Sequence, residues 1–514
     1  MIKVIGIDLG TTFSAIASLD DLGNPEVHPS IEDNRRITAS AVFVDGKDVI
    51  VGDKALNFTL EKPKQVITFA KRQMENDVVF SLTHGNWIDK KDGSSEDLTP
   101  AQVSSLILKK LKDYTSDVKK AVITVPAMFA EKARKATIEA ANLAGIEVIE
   151  LINEPTAAVL HYASLPGVQI GGRVMIYDLG GGTFDVTIAE VKNKKVDVIT
   201  SRGDKFLGGK DFDNEIIKIL NKKYNEKFSV NAFQEYEINA LKKAEEIKKN
   251  LSIKDRVSTT ITGPKGSLNI EVLREEFEES IQVFIEKTKM LIEEALEASN
   301  MNPSRINQIL LVGGSTRIPL VVESIKTIMG KPPLKGVNVD EAVVCGAAIY
   351  AGLKTEDKSL SDGQKEKLKQ VELTDVCNFY LGTLAVTTDS RTRRQIVYNS
   401  IIIKRDEKLP ISVTKPYYTT HENQTELECT VTQSEGPEEN REFVNLIHSQ
   451  ILKLPPNRPA SQKIDITYSY DVSGIIHCLF FDVDSGSQHE IELNPVSTKQ
   501  IDESKKIMQE FIIE

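Results

Sequence analysis

The sequence predicts a two-lobed α/β domain over residues 1–353, followed by a smaller all-β domain. Three observations predict this arrangement. Apolar, strand-like runs alternate with long helix-like stretches as far as residue 353. One short motif, an Asp followed by glycine and Thr, ends two of these strand-like runs. Beyond residue 375 the pattern changes to period-two alternation with turn signals, which is typical of antiparallel sheets.

The repeated motif reads IDLGTTFS at residues 7–14 and YDLGGGTFD at residues 177–185. Each copy follows an apolar run, Val4–Ile7 or Val174–Tyr177. Glycine lets backbone N–H groups approach an anion, the Asp supplies an oxygen for a hydrated metal ion, and the Thr supplies a hydroxyl. A single copy is often only a tight turn. Two copies predict two related lobes that hold one nucleoside triphosphate from opposite sides.

Other elements of the first domain are predicted from periodicity and end signals. Ala121–Val125 and Gln308–Val312 are expected to be strands. Glu131–Leu143 follows a proline and leads to Gly145, so it is expected to be a helix. Glu235–Leu251, rich in Ala, Glu, Lys and Leu, predicts another helix. The alternation of both element types predicts sheets covered by helices.

The rest of the chain divides into three segments. Residues 354–374 are polar and charged, which predicts an interdomain linker. Residues 375–496 are expected to form a β-sandwich, because 464–470 and 425–432 alternate and a turn at 471–474 leads into 475–481. Residues 497–514 begin with a capping-box pattern. They predict a short helix with Ile501, Met508, Phe511 and Ile512 on one face.

Composition limits the classes of function. The net charge is 64 − 75 = −11, which argues against a general nucleic-acid surface. No apolar run approaches the ~20 residues of a membrane span, and the N-terminus enters a strand directly, so neither a membrane segment nor a signal peptide is expected. The four cysteines are scattered without metal-ligand spacing and are expected to be reduced thiols. A cytoplasmic protein is predicted.

The motifs together resemble those of the seventy-kilodalton heat-shock chaperones of the DnaK type. Their order and spacing agree with that family along nearly the whole chain. The stretches that carry the resemblance are Gly6–Ser14, 69–72 (FAKR), 123–127 (ITVPA), 152–158 (INEPTAA), Asp178–Asp185, 207–213 (LGGKDFD) and Leu311–Pro319.

This resemblance implies an actin-like (ribonuclease H-like), two-lobed ATPase domain followed by a β-sandwich peptide-binding domain. It implies ATP or ADP and magnesium as ligands, with potassium as a further candidate ion. The implied reaction is slow, magnesium-dependent hydrolysis of ATP to ADP and phosphate. The implied partners are unfolded or extended apolar peptides, a J-domain co-chaperone and a nucleotide-exchange factor.

The resemblance also assigns roles around the phosphates. Asp8 and Asp178 would hold the hydrated magnesium and position the attacking water, and Asp185 would belong to the ion network behind the phosphates. Lys71 would contact the γ-phosphate, with Glu154 in the same polar cluster. From spacing alone, Lys71 reads as a surface lysine and Glu154 as a helix-start carboxylate. The residues that would cradle phosphate are Gly10, Thr11 and Thr12 from one lobe and Gly180, Gly181, Gly182 and Thr183 from the other.

The nucleoside end is assigned in the same way. Glu245, Lys248, Lys249 and Ser252 share one helix face by spacing. By resemblance, Glu245 and Ser252 would bond the nucleoside and Lys248 the ribose. Animal members have Arg where Lys249 stands, which predicts weaker nucleotide binding. The third glycine turn completes this end with Gly313, Gly314, Ser315, an adenine-stacking Arg317, and Asp340.

Two further sets follow from the resemblance. Pro126 and Arg134 match a pair that couples nucleotide state to the second domain, although a purely structural role fits equally well. The apolar groove for peptide would be lined by Ile401, Ile403, Leu427 and Val431, although apolar strand residues are more often core.

Three departures from the family pattern bear on function. The linker segment 371–376 (VELTDV) has polar residues at two of four apolar positions, which predicts weaker docking because each buried leucine contributes up to ~2–3 kcal/mol. Glu150 replaces a basic residue that helps to dock the J-domain, so ordinary docking is in doubt. Residues 497–514 are enough only for the start of the helical lid, which predicts fast peptide exchange.

Three interpretations follow. The first is an ATP-regulated, peptide-binding chaperone. The second is a lidless, nucleotide-bound scaffold or co-chaperone with little turnover. The third, an actin-like filament or sugar-kinase relative, is disfavoured by the C-terminal β-domain and by residues 152–158. The presence of Lys71, Asp8, Asp178 and Thr183 favours turnover and therefore the first interpretation.

Overall fold

The structure is a computed structural model. It describes residues 5–94, 96–165, 171–233, 238–335, 338–388, 391, 393–471, 475–493, 508 and 511–513. Within these residues the α-helices are α1 (Asp53–Leu56), α2 (Pro100–Lys112), α3 (Glu131–Leu143), α4 (Glu154–Ser164), α5 (Gly209–Phe228), α6 (Ile238–Leu251), α7 (Arg274–Ser280), α8 (Gln282–Ala298), α9 (Pro319–Met329), α10 (Ala342–Leu353) and α11 (Asp362–Leu368).

The strands fall into seven sheets within the same residues. They are β1 (Ile5–Asp8), β2 (Phe13–Leu19), β3 (Pro25–Val27), β4 (Thr38–Ala39), β5 (Ala41–Asp45), β6 (Asp48–Val51), β7 (Val66–Thr68), β8 (Val78–Ser81), β9 (Asn86–Asp89), β10 (Lys120–Val125), β11 (Glu147–Asn153), β12 (Gly172–Leu179), β13 (Phe184–Lys192), β14 (Lys195–Asp204), β15 (Arg256–Gly263), β16 (Gly266–Leu273), β17 (Gln308–Val312), β18 (Glu372–Thr374), β19 (Tyr380–Thr388), β20 (Gln395–Ile403), β21 (Ile411–Tyr418), β22 (Glu426–Ser434), β23 (Asn445–Lys453), β24 (Lys463–Tyr470), β25 (Ile476–Asp482), β26 (Gln488–Leu493) and β27 (Ile512–Ile513).

Two sheets of the N-terminal part are built alike. The first has the order β11-β10-β1-β2-β3, with β4 paired to β2, and the second has the order β17-β12-β13-β14-β18. In the first sheet, β1 forms an antiparallel hairpin with β2 and a parallel pair with β10; in the second, β12 does the same with β13 and β17. We call the parts built on these sheets the first lobe and the second lobe. The repeated sequence motif therefore marks a repeated hairpin.

Helices α4 and α10 pack between the two lobes, in a core that takes residues from both large sheets. They approach very closely, since a Cβ on Gly346 would lie 1.8 Å from the carbonyl oxygen of Ala157. Helix α10 also lies against β1, where a Cβ on Gly6 would lie 2.2 Å from the backbone nitrogen of Ala348. Only glycine fits at these two positions. This packing fixes the two hairpins relative to each other.

The C-terminal part contains two four-stranded antiparallel sheets, β20-β19-β22-β23 and β21-β24-β25-β26. Their buried faces share one core, to which the first sheet contributes Leu381, Ile403 and Val431 and the second Ile466, Tyr468 and Phe480. We call this part the two-sheet unit. The predicted alternation of 464–470 is confirmed by β24, whose burial alternates. The segment 425–432 forms strand β22 as expected, but its alternation is not confirmed, because the residues from Cys429 to Ser434 are all buried.

The segment before the two-sheet unit is more ordered than its composition indicates. Helix α11 has a capping box in which Ser361 accepts from the backbone of Gln364 at 3.1 Å. The Gln364 side chain donates to the carbonyl oxygen of Asp20 at 3.0 Å, which fastens the helix to the first lobe. The polar composition predicted a connector here, whereas the Ser-x-x-Gln signal at residues 361–364 marks the start of a helix. The domain boundaries at 353, 374 and 496 stay predictions.

The predicted C-terminal helix lies largely outside the described residues, but its last part differs from the prediction. Ile512–Ile513 form β27, which pairs in parallel with β6. Met508 is buried in the core of the first lobe, and Lys109 Nζ donates to its carbonyl oxygen at 2.9 Å. The edge of β6 offers unpaired backbone groups to an extended chain, which favours a strand there over another helical turn.

No helix in the described ranges is long and apolar enough to span a membrane. The four cysteines are all buried and form no disulfide.

Candidate functional site

A cleft of about 680 Å³ lies where the two hairpins meet. It brings together almost every residue that was predicted to bind nucleotide or metal. The predicted residues that line it are Asp8, Gly10, Thr11, Thr12, Lys71, Glu154, Asp178, Gly180, Gly181, Thr183, Glu245, Lys248, Lys249, Ser252, Gly313, Gly314, Ser315, Arg317 and Asp340. Gly182 and Asp185 lie just behind this lining, in the second hairpin.

The first hairpin holds Asp8 at the end of β1. Its Oδ1 accepts from Thr124 Oγ1 at 2.7 Å. The loop that follows is fixed by two serines, since the Gly10 nitrogen donates to Ser14 Oγ at 3.1 Å and Ser40 Oγ donates to the Gly10 carbonyl at 2.8 Å. Burial, reinforced by the nearby Glu154 carboxylate, raises the pKa of Asp8 to about 6.

The second hairpin places two carboxylates opposite each other, because Asp178 on β12 pairs directly with Asp185 on β13. Asp178 Oδ2 and Asp185 Oδ1 are buried without a hydrogen-bond partner among the described residues. Burial, with repulsion from Glu154, raises the pKa of Asp185 to about 8, and the same causes raise the pKa of Asp178 well above its usual range. Two buried carboxylates with unused oxygens are a site that attracts a cation.

The two loops come into contact across the cleft. A Cβ on Gly181 would lie 1.8 Å from Thr12 Oγ1, and one on Gly182 would lie 2.6 Å from Thr11 Cγ2. The second loop also touches the start of α5, where a Cβ on Gly208 would lie 2.6 Å from the Gly182 nitrogen. Glycines at these positions therefore let the loops close on one another.

Lys71 enters the cleft from a short 3₁₀ helix, Ala70–Gln73. Only 5% of its surface is exposed, and it forms an ion pair with Glu154 at the start of α4. The interpretation of Lys71 as a surface lysine is therefore wrong. Glu154 does begin a helix, and its carboxylate also faces the cleft.

The other end of the cleft carries the predicted nucleoside residues, several of which are paired with one another. Lys249 Nζ lies 2.8 Å from Glu245 Oε1, and its ammonium also lies 5.3 Å from the centre of the Phe13 ring in the first lobe. Arg317 Nη2 lies 2.6 Å from Asp340 Oδ2. In the glycine turn that precedes Arg317, Gly313 has φ +82, a conformation that favours glycine.

Three predicted residues at this end serve the local structure as well. Lys248 Nζ lies 2.8 Å from Asp213 Oδ1 and donates to the carbonyl oxygen of Gly209 at 2.8 Å. Ser252 Oγ donates to the carbonyl oxygen of Lys248 at 3.1 Å. Ser315 Oγ donates to the carbonyl oxygen of Gly180 at 2.9 Å, which joins the third glycine turn to the second hairpin.

Several residues that build the site were not predicted from the sequence. Four of them are Thr124, which orients Asp8, Asp213, which pairs with Lys248, and Lys210 and Phe69, which line the cleft in contact with each other. All four lie inside or beside motifs that were recognised. Their position within those motifs was the signal that could have identified them. Thr124 stands near the end of β10 and Lys210 and Asp213 near the start of α5, and ligands bind where strands end and helices begin.

The chemistry of the donor set fits a hydrated magnesium ion. No group of three or more His, Cys, Asp or Glu side chains within the described residues is arranged to bind a metal ion directly. Asp8 and Asp178 instead line the cleft, Asp185 lies behind them, and Asp178 Oδ2 and Asp185 Oδ1 have no hydrogen-bond partner among the described residues. Magnesium gives up its water ligands reluctantly and usually keeps several of them beside one or two carboxylates and substrate phosphates.

A chain of polar contacts leads from the back of the cleft to the linker. Arg134 Nη2 donates to Asn153 Oδ1 at 2.7 Å, and Asn153 Nδ2 donates to Asp375 Oδ2 at 3.1 Å. Arg134 Nε also donates to the carbonyl oxygen of Phe129 at 3.1 Å, in the turn that begins at Pro126. The two predicted coupling residues, Pro126 and Arg134, are both buried and lie outside the cleft lining.

The linker is seated on the second lobe. Strand β18 pairs in parallel with β14, and Val371 is buried in the core between the lobes. Beyond it, Arg202 Nη2 lies 2.8 Å from Asp406 Oδ2, and Arg405 Nη2 donates to the carbonyl oxygen of Ser201 at 2.7 Å. The two-sheet unit therefore contacts the second lobe through polar pairs at the end of β14.

The structure corrects the premise about Glu150. Its side chain is 2% exposed, Oε2 lies 2.7 Å from Lys354 Nζ, and the Tyr350 hydroxyl donates to Oε1. The Glu150 carboxylate is therefore buried and does not lie at a surface rim. Its charge is compensated by Lys354, the residue that follows α10.

The four predicted peptide-binding residues differ in exposure. Ile403 and Val431 are fully buried in the core of the two-sheet unit, whereas Ile401 and Leu427 are partly exposed. Their role in binding stays a prediction.

Comparison with known proteins supports the resemblance predicted from the motifs. The family model described as "Hsp70 protein" matches residues 4–512. The "Chaperone protein DnaK" of Thermotoga petrophila is 34% identical over 526 residues, which cover 99% of this chain and 83% of that protein. The protein of the same name from Thermosipho africanus is 34% identical over 524 residues, covering 99% and 82%. The chain therefore belongs to the Hsp70 family and is an ATP-dependent molecular chaperone with ATPase activity.

Proposed function

We propose that this chaperone binds magnesium–ATP in the cleft between the two hairpins and hydrolyses it there. The observation that carries the proposal is the convergence of Asp8, Asp178, Lys71 and Glu154 with both glycine loops on one cleft. Phosphoryl transfer depends mainly on positioning and charge neutralisation, which is what this set of residues offers. The fold proposed for this part is the two-lobed, actin-like ATPase fold.

Each residue has a proposed task. Asp8 and Asp178 hold magnesium through its water shell, with Asp185 behind them as part of the ion network. When bound, the metal ion supplies positive charge to the phosphates. Lys71 donates to the γ-phosphate and polarises the attacking water, and Glu154 keeps that ammonium in place. The cleft encloses this water in surroundings shielded from bulk solvent.

The loops and the nucleoside end complete the proposed site. Backbone N–H groups of the two loops hold the phosphates, with hydroxyls from Thr11, Thr12 and Thr183. At the far end, Glu245 and Ser252 bond the nucleoside and Lys248 the ribose. Arg317 is only partly covered, with 59% of its side chain exposed, which leaves its planar face available to adenine. Potassium is proposed as a second cation beside Asp185.

The same proposal includes control of the C-terminal part. Nucleotide state is proposed to act through the contacts of Arg134, Asn153 and Asp375 on the linker, and from there on the grip of a β-sandwich on extended apolar peptides. Ile401 and Leu427 are the groove residues that are reachable in this conformation. A J-domain co-chaperone and a nucleotide-exchange factor are the proposed partners, and the proposed compartment is the cytoplasm.

The proposal is tested by replacing Lys71. At saturating magnesium–ATP, we expect Lys71→Ala to lower the rate of phosphate formation about 100-fold, because the variant loses a charge positioned at the transferred group. Lys64→Ala is the matched control, since Lys64 is exposed in a nearby turn outside the cleft. Equal turnover in wild type and Lys71→Ala, with ATP occupancy checked in both, would refute the proposed catalytic site.

A further inference from the structure

Lys210 is the one cleft-lining lysine without an anionic or carbonyl partner among the described residues. Of the other lysines in the lining, Lys71 pairs with Glu154, Lys248 with Asp213 and Lys249 with Glu245. The remaining one, Lys242, donates to the carbonyl oxygen of Leu56 at 3.1 Å. A largely buried ammonium with no partner of this kind is costly and favours the arrival of an anion.

The acids nearest to Lys210 are already engaged. Asp211, the next residue, forms an ion pair with Arg72, with 3.2 Å between Nη2 and Oδ2. Asp213 pairs with Lys248. Burial, followed by repulsion from Arg72, lowers the pKa of Lys210 to about 8. The nearest carboxylates therefore form their ion pairs with other cations and none with Lys210 among the described residues.

An aromatic ring holds the ammonium within the cleft. Lys210 Nζ lies 4.4 Å from the centre of the Phe69 ring, which belongs to the opposite lobe. Phe69 has φ +58, in the left-handed region that bulky residues rarely adopt, and it precedes Lys71 by two residues. Such backbone strain persists where the surroundings enforce it and is common at functional sites. The cation–π contact is weaker than an ion pair, so a phosphate can replace it.

We propose that Lys210 is a second phosphate-binding cation, which contacts the terminal phosphate of ATP and holds the released phosphate in the ADP state. The ligand class is a phosphate dianion, bound between the lobes by the ammonium of Lys210 on one wall and that of Lys71 on the other. This inference rests on the proposed function and extends it from hydrolysis to the retention of a product.

The test measures how inorganic phosphate slows the release of fluorescently labelled ADP from the full chain with magnesium present. We expect Lys210→Met to raise the phosphate concentration for half-maximal slowing about tenfold, because a charge-assisted hydrogen bond is lost. Lys210→Met keeps an apolar chain on Phe69, and Lys210→Arg should preserve the phosphate effect. Lys218→Met is the matched control, since Lys218 lies exposed on the same helix.

Three results would overturn the inference: the same phosphate dependence in Lys210→Met and wild type, no phosphate effect in wild type, or faster ADP release in Lys210→Met to an equal degree with and without phosphate. The last would assign Lys210 to joining the lobes. The proposed function is judged separately, because Lys71→Ala can abolish hydrolysis whether or not Lys210 binds phosphate.

Discussion

The two hairpins share a motif but differ in what faces the aspartate. Asp8 pairs with Ala15 across the first hairpin, whereas Asp178 pairs with Asp185 across the second. Like charges directly opposite each other destabilise an antiparallel pair. Asp8 also accepts from Thr124, while Asp178 Oδ2 and Asp185 Oδ1 have no partner within the described part of the chain. The second lobe therefore carries most of the electrostatic cost that a bound cation would relieve.

The loops differ in the opposite sense. In the first hairpin a Cβ on Gly10 would lie 2.0 Å from the carbonyl oxygen of Phe13. In the second, a Cβ on the equivalent Gly180 would lie 3.7 Å from the carbonyl oxygen of Thr183. A Cβ would therefore meet close packing at Gly10 but has room at Gly180. The two hairpins thus differ in the steric room at one equivalent glycine and in the charge that faces the aspartate.

The largest expected effect is the pH dependence of the nucleotide-free protein. The raised pKa values, about 6 for Asp8 and about 8 for Asp185, mean that the folded state holds more protons than the unfolded state from about pH 4 to pH 8. The free energy of unfolding should therefore fall as pH rises through this window and level off above about pH 8. Urea midpoints followed by circular dichroism would measure the decline.

Saturating magnesium–ADP is the control for this prediction. Because the bound ion would compensate the buried carboxylates, the decline between pH 6 and pH 8 should become shallower. Equal slopes with and without nucleotide would show that these carboxylates are not the groups that titrate.

The second effect compares the two equivalent glycines. Gly10→Ala should lower the free energy of unfolding by about 1–3 kcal/mol, because its Cβ meets a backbone oxygen that cannot move away easily. Gly180→Ala should change it by less than about 0.5 kcal/mol, since its Cβ has ordinary contact distances. Thermal unfolding of both variants without nucleotide tests the contrast. Similar losses would mean that the loops are equally tight.

Much of the fold and site could be predicted from sequence because local signals and packing agree. Residues Glu131–Leu143 and Gln308–Val312 form the predicted helix and strand with the predicted bounds. The cleft residues were predicted as a set because their motifs resemble those of a known family. Those at the phosphate end mostly lie in loops after strands, whereas Glu245, Lys248 and Lys249 lie in the second half of α6. The pairing of Asp178 with Asp185 could have been predicted too, since a four-residue loop places them opposite each other.

What sequence could not provide depends on contacts between distant segments. Glu150 seemed to be a surface acid, but Lys354, about two hundred residues later, buries and neutralises it. Ile512–Ile513 had a helical pattern, but the open edge of β6 offered strand pairing. That Lys210 has no anionic partner in the described part of the chain follows only once Asp211 and Asp213 are seen to pair with other cations.

The smallest expected effect isolates the facing carboxylates. Asp185→Asn should raise the free energy of unfolding of the nucleotide-free protein by about 1 kcal/mol at pH 8, because it removes one of two opposed buried charges. The amide keeps an oxygen that can accept from the backbone of Ala127 and Met128, as the carboxylate does. Its N–H₂ group can also donate to Asp178, whose Oδ2 is without a partner among the described residues.

Asp8→Asn is the matched control for this comparison, since Asp8 faces Ala15 and already has Thr124 as a donor. Its gain at pH 8 should be smaller than that of Asp185→Asn. Both variants are compared with wild type by urea unfolding at pH 6 and pH 8. Because Asp185 ionises near pH 8 in the folded protein, only Asp185→Asn should gain clearly more free energy of unfolding, relative to wild type, at pH 8 than at pH 6. Equal gains from both variants would place the electrostatic cost evenly across the lobes and contradict the asymmetry argued from the cross-strand pairing.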